Sequence, residues 1–414
     1  MAGIKKIQAR EILDSKGMPT AEAELETDFG KFSASVPSGV SAGKYEAVEL
    51  RDRDGRGVKK AIENIEKIIS PVLEKEDLTG QKRIDDILIL LDGTENKSRL
   101  GANAILAVSI AVCRAIAKEK NLPLYGYISE IADSDSKLLP KPSFNMIEGG
   151  KHAANNLAFQ EFMVVPQKST FKENFQIGKE IYKSLKKLLE NKFGKKNINL
   201  SKEGAFAAPL RETAQAIEFI LEAAKNTGIY EDGIKIAIDA AASEFFENGS
   251  YKTDGVIFSR EQLTDFYLNL IKKYPIISIE DPFAEEDYDA WSSFSQYKIP
   301  NTVYHILVFG DDLTATNLER IKMVADKNLC NALIIKPNQI GTVTETIEAA
   351  KLAKSYGWKI MVANRAGETK DDFIADLAVG IGADFIKSGA PFPKERMAKY
   401  NRLLDIEKTL KKYE

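Results

Sequence analysis

The chain has 414 residues, more than one ordinary core holds and enough for a barrel-sized domain plus a smaller one. Its 29% charged and 44% hydrophobic residues fit a soluble globular protein, and a net charge of −3 argues against nucleic acid as the main partner. No run reaches the roughly 18 apolar residues of a membrane span. The opening MAGIKKIQAREILDSKG has no apolar signal-type core, and two distant cysteines, Cys113 and Cys330, argue against a disulfide framework or a zinc site. A cytoplasmic location is the expectation.

Residues 4 to 50 contain β-like segments such as AEAELETDFGKFSASVP, broken by Gly and Pro. RGVKKAIENIEKIISPVLE and GANAILAVSIAVCRAIAKEK then show helical apolar spacing, so an α+β unit is expected over residues 1–135. The polar stretch SEIADSDSKLLPKP, residues 129–142, marks the boundary. From there to residue 414, short apolar runs alternate with helical patterns, the rhythm of βα units closing into a barrel.

The apolar runs end on charge: KIAID on Asp239, IISIED on Glu280 and Asp281, ILVFGDD on Asp311 and Asp312, ALIIK on Lys336, KIMVANR on Arg365, DFIK on Lys387. In a βα barrel the strand C-termini converge on one face, so these charges are expected around one mouth. Three carboxylates from separate strands, Asp239, Glu280 and Asp311, are hard oxygen donors suited to Mg²⁺. Lys336, near a divalent cation and other positive charge, is expected to have a lowered pKa and to serve as general base. Together the groups suit proton abstraction next to a carboxylate, a use of Lys and Mg²⁺ for which the enolase superfamily is the standing example.

The strings SGVSAGKYEAVELRD, GGKHAANNLAFQEFM, IDAAASEFF, SIEDPFAEED, GDDLTATN, LIIKPNQIGT and FIKSGAPFPKERMAKYNRLL resemble successive hallmarks of the enolase family, the glycolytic phosphopyruvate hydratases. The resemblance covers nearly the whole chain. It implies an N-terminal α+β domain on an eight-stranded βα barrel, a homodimer, two Mg²⁺ per site and dehydration of 2-phosphoglycerate to phosphoenolpyruvate. Carried over by position, it makes Asp239, Glu280 and Asp311 ligands of the first Mg²⁺, Lys336 the base, and Lys387 its partner cation at the substrate carboxylate. Glu203 becomes the acid that protonates the leaving hydroxyl, with Glu161 beside it and His152 and Gln160 lining the site. Ser41 belongs to a loop that closes over substrate and completes the second Mg²⁺ site.

The sequence departs from the family pattern at two places. Where the family has Ser-His-Arg-Ser-Gly-Glu-Thr, this chain has Ala363, Asn364, Arg365 and Ala366, keeping only the arginine that suits phosphate. Around the acid, Ser201-Lys202-Glu203-Gly204-Ala205 replaces Gly-Asp-Glu-Gly-Gly, and an inward Lys202 would lower the Glu203 pKa. Ala42, Lys16 and Met18 are further differences, the last two expected outside the chemistry. The alternative expectation is therefore an enolase-like lyase acting on another carboxylate, such as a phosphonate analogue. A third is a catalytically silent binding protein on the same fold. His305 is expected at a strand start away from the site.

Overall fold

Alternating burial along Thr20–Thr27 builds the first sheet. The strands β1 (Ile4–Leu13), β2 (Pro19–Thr27) and β3 (Gly30–Ser35) pair antiparallel in the order β1-β2-β3. Ala21, Ala23 and Leu25 face inward by the period of two, and the helix Ala102–Glu119 packs over them. That helix is buried on all sides from Ala102 to Ala117 except at Arg114, as expected of an apolar sequence with almost no polar face. The structure is a computed structural model and describes residues 3–39, 43–134, 138–229, 233–296 and 306–411. Ser41, Ala42 and His305 lie outside the described residues.

Eight strands close the barrel: β4 (Lys141–Glu148), β5 (Glu161–Pro166), β6 (Ile234–Asp239), β7 (Ile276–Glu280), β8 (Leu307–Gly310), β9 (Ala332–Ile335), β10 (Lys359–Ala363) and β11 (Phe385–Lys387). Each pairs with the next, and β11 closes on β4 through Phe385–Lys387 beside Lys141–Ser143. The barrel has the eight strands that the resemblance implied, and β5 alone departs from the parallel pairing of the βα rhythm. It runs antiparallel to both β4 and β6, with Glu161 opposite Glu148 on one side and Asp239 on the other. The mouth is therefore lined by seven strand C-termini and one N-terminus.

Strand parity explains why the mouth is charged. On β6, Ile236 and Ile238 join the outer core under the helices, while Ala237 points into the barrel interior. Asp239, two residues on, continues that inward face at the rim. The same step of two leads from Ile334 to Lys336, from Ala363 to Arg365, and from Phe385 to Lys387. Apolar packing inside the barrel thus supports a ring of ionisable side chains.

Candidate active site at the barrel mouth

Lys387 stands at the centre of the ring. Its Nζ lies 2.6 and 2.8 Å from the two Glu280 oxygens, 3.1 Å from Glu161 Oε2 and 3.2 Å from Asp239 Oδ2. Gln160 Nε2 reaches the same Asp239 oxygen at 3.3 Å. Lys336 is in close contact with Asp311 Oδ2, and Gln339 donates to Asp311 Oδ1 at 2.9 Å. Asp281, in a left-handed conformation at φ 42, accepts the backbone N–H groups of Asp311 and Asp312 at 3.0 and 2.8 Å. These contacts fix the turn after β8.

The electrostatics follow from burial opposed by charge. Burial would raise the Asp311 carboxyl, but the Lys336 and Lys387 ammonium groups outweigh it and hold Asp311 at about 2. Glu280 goes the other way, pushed well up by burial and the neighbouring Asp239 charge despite Lys387. Burial also lifts Glu161 to about 7 against the pull of Lys387. His152 is depressed mainly by burial, so the neutral imidazole is favoured.

The lowered Lys336 pKa expected from the sequence belongs to a site that holds a divalent cation, and the protein groups alone act differently. Burial lowers the Lys336 pKa, but the touching Asp311 carboxylate prevails and the group is raised. Arg365 and Lys387 pull it downward, so its basicity depends on how strongly Asp311 is engaged by other groups.

At the opposite wall, Asn364 Nδ2 donates to Glu203 Oε2 at 3.0 Å. Burial would raise Glu203, but the Arg396 guanidinium, His152 and the Asn364 amide hold it below the usual carboxylate range. The direction matches the sequence expectation and the cause does not: Lys202 is exposed, so Arg396 supplies the charge. Arg365 forks onto Glu46, with Nη1 2.9 Å from Oε2 and Nη2 3.2 Å from Oε1, and both partners are buried. Lys16, expected outside the chemistry, donates to Gly39 O at 2.9 Å, and Gly39 lines the cavity.

The loop VANRAGET is clamped from behind. Arg396 donates to the carbonyls of Arg365 and Ala366 at 2.7 and 2.8 Å, and Ser38 and Gly367 exchange backbone hydrogen bonds at 2.9 Å. A Cβ on Gly367 would lie 2.3 Å from Asp14 Oδ2 and 2.5 Å from Ser38 Oγ, so only glycine fits. The arginine ending this buried strand is held in place as a fixed cation facing the cavity.

Two family models match the chain: Enolase, N-terminal domain, over residues 4–128, and Enolase, C-terminal TIM barrel domain, over residues 136–413. The chain belongs to the enolase family. Family membership supports a lyase of enolase type, and enolase-superfamily proteins typically bind Mg²⁺. In this enolase-family chain, Asp239 and Glu280 already converge on a cation, the Lys387 ammonium, and Asp311 is the next carboxylate round the rim. That all-oxygen donor set fits a hard divalent ion. Among the described residues, the carboxylates on that side that lie within 4.8 Å of one another are Asp281, Asp311 and Asp312.

The structure brings Lys336, Glu203, Glu161, His152, Gln160, Arg365, Lys387, Asn364, Asp239 and Asp311 to one cavity, with about 50 Å³ for the centres of water-sized molecules. That exceeds the roughly 10–15 Å³ needed by one water and suits a small acid. Sequence reasoning missed Glu46, Glu148, Gln339 and Arg396. Glu148 carried a signal, since KPSFNMIE is another apolar run ending on charge.

Proposed function

We propose that this chain dehydrates 2-phosphoglycerate to phosphoenolpyruvate with Mg²⁺. The observation that carries the reading is a lysine and a carboxyl group, Lys336 and Glu203, lining one small cavity with the Asp239 and Asp311 carboxylates, while Glu280 meets Asp239 behind it on Lys387. Lys336, in its neutral form, accepts the proton from C2. Lys387 and Arg365 hold anionic ends of the substrate. Glu203, in its protonated form, then gives a proton to the C3 hydroxyl as the C3–O bond breaks, releasing water and leaving the C2–C3 double bond. Asp239, Glu280 and Asp311 would hold Mg²⁺, which supplies Lewis-acid stabilisation of negative charge on the substrate carboxylate. Ser41 is assigned to the closing loop, and a cytoplasmic homodimer is part of the same proposal.

A specific observation favours a second reading. The Arg365 fork is engaged by buried Glu46, and Ala366 offers no hydroxyl beside it, so the anion-binding end differs from a simple phosphate cradle. That arrangement suits an acid with another terminal group, such as a phosphonate analogue. The test is phosphoenolpyruvate formation from 2-phosphoglycerate in excess Mg²⁺, with an Asn364→His/Ala366→Ser double variant alongside. Turnover by the unmodified chain supports the first reading, and turnover by the double variant alone supports the second. Lys336→Ala should lower exchange of the C2 proton with solvent by about 10²–10⁴-fold, whereas Glu203→Gln should keep exchange and lose dehydration. Unchanged exchange in the lysine variant removes Lys336 as base.

A further inference from the structure

A lysine of the small domain backs the corner of the cavity where Arg365 stands. Gly39 and Ala366 flank the antiparallel bridge between Ser38 and Gly367, and both line the cavity beside Arg365. Behind them Lys16 Nζ donates to Gly39 O at 2.9 Å, and Ser15 Oγ donates to Ala366 O at 3.2 Å. The lysine stem packs on the same turn, since a Cβ added to Gly367 would lie 2.5 Å from Lys16 Cε. The Lys16 side chain is only 10% exposed, and its ion pair with Asp14 Oδ2 is 3.8 Å long, beyond hydrogen-bond range. That carboxylate is already engaged: Ser38 Oγ donates to Oδ2 at 2.8 Å, and the N–H groups of Lys16 and Met18 donate to Oδ1 at 2.8 and 2.9 Å. The ammonium is therefore only partly neutralised. Burial lowers its pKa against Asp14 and Glu49, with Lys202 and Arg51 pulling the same way as burial, so a further anion nearby would favour the charged form.

We propose that Lys16 is a positioning and specificity-determining residue for the terminal anionic group of the substrate. This rests on reading the substrate as a carboxylic acid with a second anionic group, which both assignments above share. Lys16 acts in two ways. It holds the Gly39 carbonyl on its own charge, so the negative end of that dipole is occupied and does not oppose an anion at the corner. It also adds positive charge where Arg365 is forked onto Glu46 and Ala366 offers no hydroxyl.

The probes are inorganic phosphate and methylphosphonate, titrated into the whole protein and followed by phosphorus-31 nuclear magnetic resonance, beside Lys16→Met and Lys16→Arg. Lys16→Met should weaken the tighter of the two anions by about tenfold, whereas Lys16→Arg, which keeps both charge and donor, should stay within about threefold. Unchanged affinity in the methionine variant, an equal loss in both variants, or no binding of either anion to the unsubstituted protein overturns the proposal. A reading free of variant folding comes from glycine-selective nitrogen-15 labelling of the unsubstituted protein. Added phosphate should shift the Gly39 amide resonance, and an unmoved Gly39 counts equally against the site. Absence of turnover with 2-phosphoglycerate removes the dehydration reading alone, because neither titration depends on chemistry.

Discussion

Asn364 holds Glu203 through one amide hydrogen, and its other contact is to the Arg365 carbonyl at 3.0 Å. Asn364→Ala removes a hydrogen bond to a charged group, about 1.5–3 kcal/mol, so dehydration should slow by roughly tenfold or more with C2 exchange retained. Nuclear magnetic resonance of the C2 position checks both steps, and a parallel fall in exchange would contradict an effect confined to the acid. Glu46 poses the opposite case, because its carboxylate sits on the fork that a substrate anion needs. Glu46→Gln should lower KM for the phosphorylated acid while weakening the unliganded fold by about 3 kcal/mol, since Arg365 loses its buried partner. Steady-state kinetics and urea unfolding separate those effects. An unchanged KM means Glu46 and the anion do not compete. Asp239, Lys336, Arg365 and Lys387 were legible because each extends the inward parity of an apolar run. Glu46 and Gln339 gave no such signal, coming from segments with no strand period.

At the level of elements, the helix Val343–Ser355 begins on a polar contact made across the two domains. Ser109 Oγ accepts from Val343 N at 3.0 Å, and Asp85 Oδ2 from Thr344 N at 2.9 Å, while Thr342 caps the same turn. Asp85 is wholly buried, and that burial, against the hydrogen bonds from Ser109, Thr344 and Gln81, raises its carboxyl to about 6. The unfolded chain therefore ionises Asp85 first as pH rises. Stability from this group is full below pH ~4 and is lost between ~4 and 6, by about 3 kcal/mol. Urea midpoints across that window should show the wild type declining relative to Asp85→Asn. A constant difference would mean Asp85 titrates alike in both states. Element directions were harder to read than positions. A short buried apolar run looks the same in either sense, which hid the reversal of β5. Glu148 ends an apolar run as the other rim charges do, but its parity was not legible: the register shifts between Asn145 and Ile147, so Glu148 turns inward where simple alternation from Asn145 would turn Ile147.

Across the whole molecule, the small domain is stapled to the barrel around the mouth. Lys97 pairs with Glu345 at 2.9 Å, and Arg114 grips Asp371 at 2.7 and 2.8 Å and Asp372 at 3.1 Å. Arg114 and Asp371 are largely buried, so Arg114→Ala leaves an uncompensated carboxylate and should cost about 3 kcal/mol or more in urea unfolding. A loss under ~1 kcal/mol would mean the pair is solvated. The two-part organisation was legible in the change of sequence rhythm. The contacts between the parts were not, since Arg114 lies on an apolar helix and Asp371 in a distant loop. The reversed β5 has one more consequence. Because β4 and β5 meet the mouth through a single connection, Glu148, His152, Gln160 and Glu161 all lie within residues 148–161. One edge of the active centre is thus a contiguous cassette, and exchanging that segment between related chains would transplant its acid and imidazole groups together, leaving the other six strands as they are.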